Sequence, residues 1–123
     1  MEKTYSDELI QTVWEKGLIQ QGFDPNVARK DACGAWILRN QYGNTDSDFG
    51  WEIDHVYPRV LGGTTVIENL RPMQWQNNRS KGDNYPTYIA SMKAVDNQNQ
   101  PVERQYTVNE DLRNKLAQIY PIQ

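Results

Sequence analysis

The chain has 123 residues and a formal net charge of −3, with 37% hydrophobic and 24% charged residues, four Trp and seven Tyr. This length bounds it to one domain with a modest core, its aromatic content excludes a disordered chain, and its acidity counts against binding nucleic acid through a broad basic face. No apolar run could span a bilayer and the amino-terminal MEKTYSDEL lacks a basic segment followed by an apolar one, so no membrane association and a cytoplasmic location are expected.

The first predicted element is a helix over residues 6–16, capped by Ser6 or Thr4, with Asp7 and Glu8 at its positive end and Leu9, Ile10, Val13 and Trp14 on one face. Asp24-Pro25 predicts a second, shorter helix reaching about Arg29 or Lys30, with Arg29, Lys30 and Asp31 as surface charges. Cys33, the single cysteine, excludes a disulfide framework and, with one histidine, a Cys/His zinc site within the chain; it is expected to be a small buried hydrophobe. A strand is expected near residues 35–39, then a turn-rich loop, then a half-buried strand over Trp51–Asp54. Gly62-Gly63 predicts a turn, Asn69–Met73 a second extended piece, and Gln74 to about Gly82 a two-turn helix. Tyr88–Val95 and Val102–Val108 predict a hairpin around DNQNQP, and a last helix is expected from a Thr107 cap, with Glu110 completing the capping box and Pro121 ending it.

The chemistry concentrates in WEIDHVYPRVLGGTTVIENLRPMQWQNNRSKGD, residues 51–83. Phosphodiester hydrolysis needs a base to activate water, a cation at the phosphate and donors that hold the geometry. His55 is the sole imidazole and is matched to a base role near neutral pH. Asp54 supplies a hard anionic oxygen and Asn77 or Asn78 an amide oxygen, a set suited to Mg²⁺ (or Mn²⁺) rather than Zn²⁺. Asn78 is preferred because it shares a helix face with Lys81. Adjacent residues of a regular strand point to opposite faces, so the strand is expected to end or twist at Asp54-His55. Arg39 is a further, weaker phosphate candidate.

WEIDHVYP, Gly62-Gly63, Asn69-Leu70 and NRSKGD, in this order and over residues 50–83, resemble the HNH endonucleases, the His-Me finger or ββα-metal family. The resemblance implies an α+β fold with a ββα-metal core, flanked by amino-terminal helices and a carboxy-terminal hairpin plus helix. It implies a nuclease that hydrolyses DNA, double-stranded DNA favoured, with one divalent metal ion, leaving 5′-phosphate and 3′-hydroxyl ends. His55 would be the general base, with Asn69 holding the base-bearing loop and orienting the imidazole. Asp54 and Asn78 would ligate the metal, and Arg79, Lys81, Arg59 and Arg71 would contact substrate phosphate. Many relatives carry CxxC pairs for a structural zinc, whereas Trp75 and Asn77 stand near those positions here. No structural zinc is therefore expected, and the helix is expected to be held by apolar packing through Trp75. The alternative is a non-catalytic nucleic-acid-binding or effector module with a vestigial site, which the acidic composition favours.

Overall fold

A computed structural model of the chain describes residues 4–121. Helix α1 (Asp7–Trp14) begins where the Ser6 hydroxyl accepts from the Leu9 amide, and it buries Ile10, Val13 and Trp14. No helix follows Pro25. Asp24 instead accepts from the Asn26 amide in an Asx turn, and the chain extends into strand β1 (Ala28–Lys30), antiparallel to β2 (Trp36–Leu38). Arg29 and Asp31 are buried rather than surface charges. The Arg29 guanidinium donates to the carbonyls of Pro25, Glu15 and Gly17, tying the turn to the end of α1.

Strand β3 (Trp51–His55) pairs antiparallel with β4 (Leu70–Gln74), and helix α2 (Trp75–Lys81) follows without a linker. The register sets Trp51, Ile53 and Leu70 on one face and Glu52, Asp54, Arg71 and Met73 on the other. Ile53 and Leu70 pack with Val13, Trp14, Ile37 and Trp51, whereas Met73 packs with Cys33, Val56, Tyr88 and Leu116. This two-stranded sheet thus separates two apolar clusters and is clamped from both sides. Burial, with Asp31 beside it, pushes the Cys33 thiol up to about 12, which makes it an inert core residue.

Strands β5 (Thr87–Val95) and β6 (Gln98–Thr107) form the hairpin, longer than the apolar pattern suggested because Asp96 adopts φ 55° and closes the turn within two residues. Pro101 lies opposite Met92, where the pairing slips at Ser91 and the lost ladder donor is tolerated. Helix α3 (Glu110–Ile119) is capped by the Asn109 side chain, which accepts from the Leu112 amide; Thr107 remains paired in β6 and cannot serve.

Polar anchoring, not Trp75, fixes α2. Asn77 is buried, its Oδ1 accepting from the Ser91 and Met92 amides and its Nδ2 donating to the Met92 carbonyl and Asp31 Oδ2. The bulge lies in β6, where Val102 and Glu103 face the single β5 residue Ser91, and Asn77 satisfies the Ser91 amide. The other Asp31 oxygen accepts from the Cys33 and Ala35 amides, and Oδ2 also accepts from the Gln74 amide. Burial pushes the Asp31 carboxyl up while these donors oppose that shift. Trp75 is half-buried, its indole donating to the Ser47 carbonyl, so it steadies the helix from its outer side.

Asp31→Asn replaces one accepting oxygen by a donor facing N–H groups. It is expected to lower the stability to urea unfolding by about 3 kcal/mol, and a loss below about 1 kcal/mol would contradict the role given to this carboxylate.

Candidate functional site

Asp54, His55 and Asn78 border one cleft of about 310 Å³, together with Ile53, Pro58, Arg59, Arg79, Gly82 and Asp83. The strand ends at His55, as expected, without a twist or bulge before it. Pairing runs through Asp54↔Arg71 to His55↔Leu70, so the strand is regular at the pair. Three consecutive β3 residues nevertheless line the cleft, which requires it to lie across the edge or end of the strand rather than over one face. β3 has a single sheet neighbour, and beyond an isolated bridge between Tyr42 and Trp51 its outer edge is open to form this cleft.

His55 closes β3 with its imidazole Nε2 3.0 Å from Thr65 Oγ1. Its backbone is held from both sides, since its carbonyl accepts from Lys81 Nζ and the next amide, Val56, donates to the Asn69 carbonyl. Asn69 is fully buried at the base of the connecting loop. Its Oδ1 accepts from the Tyr57 amide at 2.7 Å, and its Nδ2 donates to the carbonyls of Tyr57 and Thr64. The side chain therefore staples both ends of loop 57–64, and the side chain found on the imidazole is Thr65, not Asn69. The loop's two glycines have separate reasons: Gly62 takes φ 109°, and a Cβ on Gly63 would meet the Tyr57 carbonyl oxygen at 1.8 Å.

Asp54 is 4% exposed and carries two cations: Arg71 Nε lies 3.0 Å from Oδ2, and Lys81 Nζ 3.3 Å from Oδ1. Lys81 is itself fully buried. Arg71 and Lys81 were both expected at substrate phosphate; they lie beneath the cleft instead, on a carboxylate whose burial demands counter-charge. Burial pushes the Lys81 ammonium down from its usual value and Asp54 opposes that shift. Arg71 uses half of its fork, since its Nη2 is buried without a hydrogen-bond partner.

Helical rotation separates the two asparagines. Asn77 and Lys81, four residues apart, face inward, and Asn78 turns toward the cleft, which resolves the choice of cleft-facing amide in favour of Asn78. Asn78 Nδ2 donates to Glu52 Oε1 at 3.1 Å, leaving Oδ1 as its oxygen available to a cation. Arg79 makes a two-pronged contact with the same carboxylate, Nε at 3.3 Å and Nη2 at 2.9 Å, and is 59% exposed. Arg59 sits exposed on the loop that rims the cleft, whereas Arg39 lies elsewhere, donating to Gln11 Oε1 beside the Trp51 ring.

Glu52 and Thr65 were not identified from the sequence. Glu52 could have been found from its spacing two residues before Asp54, which puts both carboxylates on one strand face; Thr65 depends on loop geometry and carries no such signal. Among the described residues no three His, Cys, Asp or Glu side chains gather as a metal cluster, and no helix is long and apolar enough to cross a membrane. The oxygen donors lining the cleft are instead the carboxylates of Asp54 and Asp83 and the amide of Asn78, all hard, a set that fits a divalent cation that retains most of its water. Compared with protein-family models, curated proteins and solved structures, the chain matches none.

Removing the buried ammonium by Lys81→Met leaves Asp54 with one partner and should cost about 3 kcal/mol in urea unfolding. Arg79→Met, at an exposed pair, should stay within about 0.5 kcal/mol, and equal losses for the two variants would contradict this division between buried and exposed pairs.

Proposed function

We propose that this protein is a metal-dependent endonuclease of the HNH type, its β3–loop–β4–α2 segment acting as a ββα-metal core. The observation that carries the reading is the convergence of Asp54, His55 and Asn78, from a strand and a helix separated by a loop and a second strand, on one cleft. That is the spatial requirement for a base and two oxygen ligands to act on one phosphate.

In this reading Asp54 and Asn78 hold one Mg²⁺ or Mn²⁺. Bound there, the ion supplies Lewis-acid charge to the scissile phosphate and to the departing oxygen. The His55 imidazole takes a proton from water, whose oxygen forms the new bond to phosphorus. The bond from phosphorus to the 3′ oxygen breaks, and that oxygen is protonated, leaving 5′-phosphate and 3′-hydroxyl ends. Arg59 and Arg79 stand at the rim as phosphate contacts, with Arg79 leaving Glu52 to do so. Glu52 would steer the Asn78 amide so that its oxygen, not its nitrogen, is free for the ion. Thr65 would fix the imidazole, and the Asn69 staple would keep the residues after His55 in place. DNA is the proposed substrate, double-stranded DNA favoured, following the resemblance.

One feature favours a second reading, a nucleic-acid-binding or effector module without catalysis. Asp54 is already neutralised by Arg71 and Lys81, so a divalent cation would have to share the carboxylate with them.

Plasmid cleavage in Mg²⁺, Mn²⁺ and EDTA separates the two. The first reading expects metal-dependent nicking that falls by at least about 100-fold in His55→Ala, with the unfolding transition retained. Retention of wild-type cleavage in that variant would sink it, and binding of DNA with no cleavage in any metal would establish the second.

A further inference from the structure

A groove of about 480 Å³, sharing no lining residue with the cleft, runs between the end of α1, residues 67–71 and the first turns of α3. Its charged lining is Lys16, Arg71 and Lys115 against the single carboxylate Glu68, an excess of cations in a chain of net charge −3. The remaining wall is largely apolar, formed by Leu18, Val56, Ile67, Leu70 and Leu112. Leu18 is 52% exposed, so apolar surface stands open next to a local excess of positive charge.

The cations are held there rather than free to disperse. Lys16 Nζ donates to the carbonyls of Ile67 and Leu70, the latter at 2.8 Å, which anchors its charge at the groove wall. Arg71 is fixed by Asp54 on its other side, so one side chain belongs both to this wall and to the floor of the cleft. Burial, and then the neighbouring Lys115, lowers the Lys16 pKa, with Glu68 opposing: the two ammonium groups are close enough to repel. Asn109 and Leu112, also in the lining, mark the positive end of α3. The groove thus sets two ammonium groups and one guanidinium against a single carboxylate, beside an apolar wall.

We propose that this groove binds a small organic anion, a phosphate monoester or carboxylate carried on an apolar or aromatic body, with the anionic group between Lys16 and Lys115 and the body against Leu18, Ile67 and Leu112. The volume excludes neither a bicyclic ring nor a short alkyl chain, and the pairing of charge with apolar wall is the usual composition of a ligand site. The cationic end accounts for the anion, and the uncovered leucine accounts for the body; inorganic phosphate satisfies only the first.

The test uses the whole protein and the fluorescence anisotropy of 2-naphthyl phosphate and of 2-naphthoate, with 2-naphthol and inorganic phosphate as comparators. At least one of the two anions should bind at least about tenfold more tightly than 2-naphthol, and inorganic phosphate should displace it only at concentrations at least about tenfold higher. Comparing the two distinguishes a phosphate site from a carboxylate site. Lys115→Glu, at an exposed residue, should weaken binding at least about tenfold, and Leu18→Gln should weaken it without improving the competition by inorganic phosphate. Undiminished binding in Lys115→Glu overturns the proposal, as does equal binding of 2-naphthol. Displacement of the probe by a short DNA duplex at concentrations no higher than those of the unlabelled naphthyl anion would also overturn it, assigning the groove to nucleic acid.

Discussion

The arrangement of this molecule depends on a buried amide meeting a buried carboxylate. Asn77 and Asp31, both nearly excluded from solvent, join α2 to the β1–β2 turn and to β5 opposite the bulge of β6, and every hydrogen-bonding group of the Asn77 amide is used. A helix of seven residues has little stability of its own, so its position has to come from tertiary contacts. By fixing Asn77 inward the network fixes the helix rotation, and the rest follows from 3.6 residues per turn. Lys81 is carried inward to Asp54, Asn78 is carried to the cleft, and Arg79 is left at the surface. An aspartate, an asparagine and a bulged strand pair thus brace the helix.

The second consequence is electrostatic. A carboxylate at 4% exposure is costly unless its charge is answered, and Asp54 is answered twice, by a guanidinium from the paired strand and an ammonium from the helix. The pair with Arg71 lies directly across the β3–β4 ladder, whereas the pair with Lys81 spans strand to helix, so Asp54 ties β3 to both β4 and α2. Two monodentate contacts leave a lone pair on each oxygen, and the unfilled Nη2 of Arg71 shows that neither contact is optimised for the ion pair alone. Such a carboxylate is held in position from two sides yet not saturated.

Much of the core was legible in the sequence because its signals are local. Periodicity located α1, the absence of a breaker located α2, alternation located β3, and the Gly62-Gly63 turn and the Pro121 stop were readable from single residues. Failures arose where a distant partner decides the outcome. Pro25 is a sound first residue of a helix, but Arg29 is drawn to the carbonyls of Glu15 and Gly17, and the chain after the turn extends instead. Lys81 looked like a surface cation because three-residue spacing puts it beside Asn78; four-residue spacing equally puts it beside Asn77, and only the buried network selects between them. The supposed conflict between Asp54 and His55 rested on the assumption that a site occupies one face of a sheet. With two strands the edge is never far away, and the site uses it.

That edge position bears on how an acidic chain could engage a phosphate. A cleft across the end of β3 meets the loop carrying Arg59 and the outer side of α2 carrying Arg79, so the exposed cations are placed by geometry at its rim while Arg71 and Lys81 are spent inside on Asp54. Glu52 holds Arg79, and it holds Asn78 as well. A phosphate that draws Arg79 away would leave Glu52 with Asn78 alone, two residues along the strand from Asp54. Charge gained by the phosphate at the rim is thus matched by charge released on the carboxylate face beneath it. Few phosphate contacts, each exchanged for an internal one, is the form of binding open to a protein whose cations are outnumbered by its carboxylates.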